Sequence, residues 1–149
     1  MNSLIQEENS YKCLYQIPPK NGCYVVLDTE TKFLKTGERV LEISAFKIEK
    51  GKINGFRYNG FIFSNKTFQK KKFNYQGIKR FHYKKRDYHK NFFPGSKEGL
   101  KSFLHFVENC LIFSHNAIFD MNNINQELKY WGLDEIPIEK FRCTMRFYK

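Results

Sequence analysis

The chain is poor in acid and has no long apolar run. Only 15 acidic residues stand against 26 basic ones, a net charge of +11 at pH 7. Such an excess points to a polyanionic partner, of which nucleic acid is the commonest. Lys, Asn, Phe, Tyr and Ile are abundant together, however, so part of the charge reflects coding bias. No segment approaches the roughly 20 apolar residues that span a bilayer, so no membrane partner is expected. The N-terminal stretch MNSLIQEENSYK lacks the basic and apolar regions of a secretory signal, and its acidic pair disfavours a mitochondrial presequence. An intracellular location, cytoplasm or nucleus, follows as the expectation. The cysteines, Cys13, Cys23, Cys110 and Cys143, show no C-x-x-C spacing, which disfavours a zinc or redox motif. They read as reduced packing residues. A second full domain does not fit in 149 residues.

What is present is a folding sequence, 41% hydrophobic and rich in Phe and Tyr. Residues 1–22, closing with IPPKNG, read as a polar leader ahead of a domain over 23–149. CYVVLDTE is nearly continuously apolar up to Asp28, the pattern of a strand covered on both faces. RVLEISAFKI alternates as a second strand, EKGK supplies a hairpin turn, and FRYNGFIF reads as a third strand. Residues 64–95 carry no clean period and read as a long loop with a short helix. KEGLKSFLHFVENC then predicts a helix with Ser96 as N-cap, and CLIFS a short buried strand. In AIFDMNNINQELKYWG, the residues Ala117, Met121, Ile124, Leu128 and Trp131 share one helical face, with Gly132 at the C-cap position. Strand, strand, strand, helix, strand, helix is an α/β order.

Asp28 and Glu30 lie two residues apart, so on a strand they project to the same side, at the carboxyl end where open α/β sheets place their ligands. Two adjacent carboxylates repel by on the order of 1 to 4 kcal/mol, and a hard divalent cation, Mg²⁺ or Mn²⁺, removes that cost. Asp120 would emerge in the first turn of the second helix, straight after a strand. Each feature alone has a plain explanation: a strand end for the first two, a helix-dipole residue for the third.

Together they form a pattern. VVLDTET, then RVLEISAFKI, then LIFSHNAIFDMNNINQEL, whose Asp lies 92 residues beyond Asp28, resembles the DEDD superfamily of 3′-to-5′ exonucleases. The likeness extends to the family of the epsilon proofreading subunit of bacterial DNA polymerase III. There the motifs read like VxDTETTG, IIEIGAV and HNAxFDxxFLxxE, and FHYKKRDY stands where a HGI turn is common. The resemblance implies a ribonuclease H-like mixed sheet with flanking helices, and two metal ions, Mg²⁺ or Mn²⁺, about 3.5 to 4 Å apart at a phosphodiester. Carried over, Asp28 bridges the ions, Glu30 is a second ligand, and Asp120 supports the other ion through water. Thr29, Thr31, His115, Asn116 and Phe119 are the implied substrate contacts, with His115 first a hydrogen-bonding residue of its motif. The implied partner is the 3′ end of single-stranded DNA or RNA, with a polymerase or a completing chain as a further partner.

The chain departs from the family in two places. TKF follows Glu30 where Thr-Gly is usual, and the third motif, HxAxxD, which supplies a general-base His and a fourth carboxylate, is not found in the 29 residues after Asp120. None of His82, His89, His105 or His115 lies where that base should be. The fold therefore reads as truncated before its last strand and helix, with the sheet edge beside CLIFS exposed. From Lys66 to Lys90, ten basic residues against Asp87 alternate with aromatics, a composition suited either to single-strand binding or to a solvated loop. The alternative to an enzyme is a non-catalytic nucleic-acid-binding or polymerase-associated module on the same fold.

Overall fold

In the computed structural model the described residues are 11–20, 22–34, 37–59, 92–94 and 96–146. The strands are β1 (Tyr24–Leu34), β2 (Gly37–Glu49), β3 (Lys52–Asn59), β4 (Phe92–Pro94), β5 (Leu111–Ser114) and β6 (Phe141–Cys143). Two helices, α1 (Lys97–Val107) and α2 (Ala117–Tyr130), flank β5 in the chain. The sheet runs β4-β3-β2-β1-β5-β6, with β2 antiparallel to both neighbours and the other pairs parallel. This is the expected mixed α/β sheet.

Local chemistry accounts for much of it. Lys50 and Gly51 both have positive φ, 49° and 73°, the two-residue turn that matches strand twist, so β3 starts at Lys52. The third strand therefore lies earlier than FRYNGFIF, whose last four residues fall outside the described ones. Ser96 Oγ accepts from Gly99 N at 3.0 Å and caps α1 as expected. Gly132, at φ +65°, ends α2, and Leu133 N donates back to Leu128 O at 2.9 Å, closing the last turn.

Both helices pack on one face. Phe103 of α1 meets Phe56 of β3 at 5.5 Å between ring centres, and Met121, Ile124 and Leu128 of α2 are buried with Val25, Leu27, Ile43 and Ile112. The opposite face carries Val26 and its cross-strand partner Phe46, exposed by 46% and 57%, and the pair Ile48 and Ile53. The expectation that β1 is covered on both faces is thus corrected: neither described helix lies over that side.

Other corrections depend on long-range pairing. Phe92–Pro94, inside the stretch read as a loop, pairs in parallel with β3 as an edge strand. β6 pairs with β5, so the edge beside CLIFS is occupied. The rest of that loop, residues 64–91 and 95, lies outside the described residues, with His82, His89 and the whole basic stretch from Lys66 to Lys90. Cys23 and Cys110 form a disulfide, Cα–Cα 4.5 Å, rather than resting as thiols. They stand one residue ahead of the Tyr24↔Leu111 pair, so parallel register makes them neighbours despite 87 residues of separation. Leu14, in the stretch read as leader, is fully buried in the core. No helix among the described residues is long and apolar enough to cross a membrane.

Candidate active site

β1 does not stop at the acids but continues to Leu34. What ends beside them is β5, which pairs with β1 only from Tyr24 to Val26. Two residues later, Asp28 emerges exposed on the open face, opposite Ser44, and Glu30 follows, half-buried and opposite Glu42. The register with β2 then slips between Glu30 and Thr31, leaving Leu41 as an extra residue. Val40 and Leu41 are both buried at that bulge, Val40 within the main core, and the bulge interrupts the regular ladder beside the acids.

The electrostatics of the open face are uneven. Glu42 is compensated, with Arg57 Nε at 3.1 Å and Ser44 Oγ donating at 2.7 Å. Asp28 and Glu30 have no basic partner among the described residues. The Glu30 carboxyl titrates above its ordinary value, first because of its burial, then because of Asp28 and Glu42.

Asp120 approaches from the helix side. It lies in the first turn of α2, 3% exposed, and Thr29 Oγ1 donates to its Oδ1 at 2.6 Å, a short charge-assisted bond. Burial raises its pKa; the hydroxyls of Thr29 and Ser114 oppose the rise, and the charge of Asp28 adds to it. Ser114 Oγ is buried near enough to Asp120 to favour its charged form, yet has no hydrogen-bond partner. Asp28 is thus the common neighbour of Glu30 and Asp120, one acid on each side of β1.

The remaining expected residues divide by exposure. Thr29 and Thr31 turn inward, and the Thr31 hydroxyl donates to Glu38 Oε1 at 2.6 Å, so both side chains are engaged inside the protein. His115, Asn116 and Phe119 are exposed around the start of α2. An open groove of about 360 Å³ between Leu104–Glu108 and Asp134–Lys140 includes none of the expected site residues.

Sequence reasoning missed Glu127. It is 2% exposed; Arg39 clasps it through Nε and Nη2 at 2.8 and 2.7 Å, Trp131 Nε1 donates at 3.1 Å, and Val40 N at 3.3 Å. The Arg39 guanidinium also lies 3.7 Å above the Tyr130 ring. A signal was present: Glu127 falls between Ile124 and Leu128 on the apolar stripe, where a lone acid requires a partner.

A family model described as an exonuclease, RNase_T, matches residues 25–149. The chain belongs to the exonuclease family. Its mixed sheet with helices is consistent with the ribonuclease H-like fold of that family. No curated protein matches it. Family membership supports nuclease chemistry in general, and this family generally uses divalent metal ions. The donor set fits such an ion in part. Asp28 and Glu30 are hard oxygen donors on one face with no cationic partner among the described residues, and the buried Ser114 hydroxyl beside Asp120 has no hydrogen-bond partner. Among the described residues, no three of His, Cys, Asp and Glu converge closely enough to ligate one ion directly.

Proposed function

We propose that this exonuclease-family chain removes nucleotides from the 3′ ends of single-stranded DNA or RNA by divalent-metal-dependent phosphodiester hydrolysis. The observation that carries the reading is the grouping of Asp28 and Glu30 on one face of β1 without a basic partner among the described residues; burial first, and the Asp28 charge after it, raise the pKa of Glu30 and of Asp120. Asp28 and Glu30 would hold Mg²⁺ or Mn²⁺, two ions being the expectation. Bound there, a divalent ion supplies Lewis-acid polarisation of the phosphate and a water that ionises near neutral pH. The Thr29 hydroxyl holds the Asp120 carboxyl in place in the first turn of α2. The net charge of +11 favours approach of a polyanionic strand. The exposed Phe119 and His115 offer planar surfaces to an unstacked terminal base.

The test is a 5′-labelled single strand incubated with Mg²⁺ or Mn²⁺. The expected result is a ladder shortening from the 3′ end, lost with chelator and with Asp28→Ala. A second reading, a nucleic-acid-binding module without catalysis, draws on the lack of any three converging ligands among the described residues. It expects strand binding unchanged by metal and no ladder under any condition.

A further inference from the structure

The groove beside α1 lies away from the acids. One wall is the end of α1, Leu104–Glu108, and the other is the stretch Asp134–Lys140 that leads into β6. The chain enters β5 at Leu111, shortly after Glu108, and β6 at Phe141, directly after Lys140; both strands run parallel to β1. The groove is therefore at the amino end of these strands, whereas Asp28 and Glu30 lie past the last pair of β1 with β5, Val26↔Phe113. A molecule seated in the groove leaves the carboxylates open.

Both walls are held by the fold itself. Ile136 N donates to Asn125 Oδ1 at 2.8 Å and Ile136 O accepts from Asn125 Nδ2 at 2.9 Å, so one side chain of α2 fastens the second wall. Lys140 N donates to Pro137 O and Cys110 N to Val107 O, each at 3.1 Å, closing a turn at the end of each wall. A preformed groove spares an occupant part of the ordering cost of binding.

Floor and rim differ in chemistry. Val107 and Ile136 are buried beneath the groove, Leu104 is half-buried and Pro137 exposed, so the floor is apolar. The rim carries Glu108 on α1 and Asp134 and Glu135 opposite, all exposed. Glu108 meets the His105 imidazole at 3.3 Å, and Asp134 and Glu135 make no ion pair among the described residues. Lys140 is the one lysine or arginine in the lining. Acids thus outnumber such cations three to one here, in a chain where 26 basic residues outnumber 15 acidic ones. At physiological salt, fields fade over about 8 Å, so an occupant meets this local charge rather than the net charge of the chain. A polyanion is disfavoured at such a rim and a cation favoured.

We infer that the groove docks a short peptide segment of a separate partner protein. One apolar side chain of that segment seats on the floor, between two basic side chains that meet Glu108 on one wall and Asp134 and Glu135 on the other. A void of about 360 Å³ takes a few side chains, whereas two folded chains associate stably through roughly 1,200 to 2,000 Å² of buried surface. That favours a peptide over a second copy of this chain. Docking here is independent of exonuclease chemistry.

Fluorescence anisotropy of the full chain tests this with fluorescein-labelled heptapeptides, each carrying Leu, Ile, Phe or Met between two arginines. At about 0.15 M salt, at least one should bind with a Kd on the order of 10 to 100 µM, as expected of a contact below standard interface size. Serine in place of the apolar residue should weaken binding about 10-fold, and glutamates in place of the arginines should abolish it. Reversing the exposed rim charges, Asp134→Lys with Glu135→Lys, should weaken binding by about 10-fold or more. Asp134→Asn with Glu135→Gln replaces that pair if its Tm falls, with a loss of about threefold expected. No peptide binding tighter than about 1 mM, or binding that the reversed charges leave unchanged, overturns the inference. So does self-association of the wild type that the reversed charges abolish, which would assign the groove to a second copy.

Discussion

Helix α2 carries two buried acids seven residues apart, Asp120 and Glu127, exposed by 3% and 2%. They differ in what surrounds their charge. Glu127 receives a two-pronged Arg39, an indole N–H and a backbone N–H, and with them fastens α2 to β2. Asp120 receives a threonine hydroxyl, lies beside an orphaned serine, and feels another acid, Asp28. Burying a carboxylate is tolerable when cations and donors replace water, and costly when they do not. The compensated acid therefore reads as structure. The less compensated one belongs, with Asp28 and Glu30, to the cation site proposed above.

The comparison can be broken at either end. Asp28→Asn should lower metal-dependent strand degradation by about a thousandfold or more, several kcal/mol of transition-state stabilisation, with an unchanged or slightly higher Tm. Glu127→Ala should cost about 3 to 5 kcal/mol in urea unfolding, because it leaves Arg39 partly buried without its partner. An alanine variant as stable as the wild type would remove the structural half of the contrast. Thr29→Val, which deletes the donor to Asp120, should lower activity by about 10- to 100-fold, the range for residues that orient ligands.

The smallest effect concerns Glu30. Its folded pKa is raised, so its ionised form disfavours the folded state, and that cost appears as pH rises through the folded value. In chelator, Glu30→Gln should therefore raise stability at pH 7 by less than about 1 kcal/mol, since the group is partly solvated. The gain should vanish below about pH 4, where the carboxyl is protonated in both states. A loss of stability at pH 7 would show that Glu30 is compensated after all.

The legible parts of this molecule were those written in local chemistry. Ser96 caps α1 and Gly132 ends α2 because each acts on residues within one turn of itself. The α/β order followed from period alone. What depends on register was hidden: the bulge at Leu41, the short strand at Phe92–Pro94, and the Cys23–Cys110 bond are each set by which residue of a distant strand lies opposite. The candidate carboxylates were visible because i and i+2 share a face of a strand. Their division between the two faces of the sheet was not, since it depends on the Thr29 side chain meeting α2 across 91 residues of chain. Glu127 was overlooked for the same reason, its partner Arg39 being 88 residues away.

The most direct test of the central claim is a calorimetric titration of Mn²⁺ into the wild type and into Asp28→Asn, with Tm followed in parallel. Saturable binding that raises the Tm of the wild type, and that is lost in the variant, is the predicted result. Equal binding by both chains, or no binding by either, would contradict the assignment of the Asp28 cluster as a cation site.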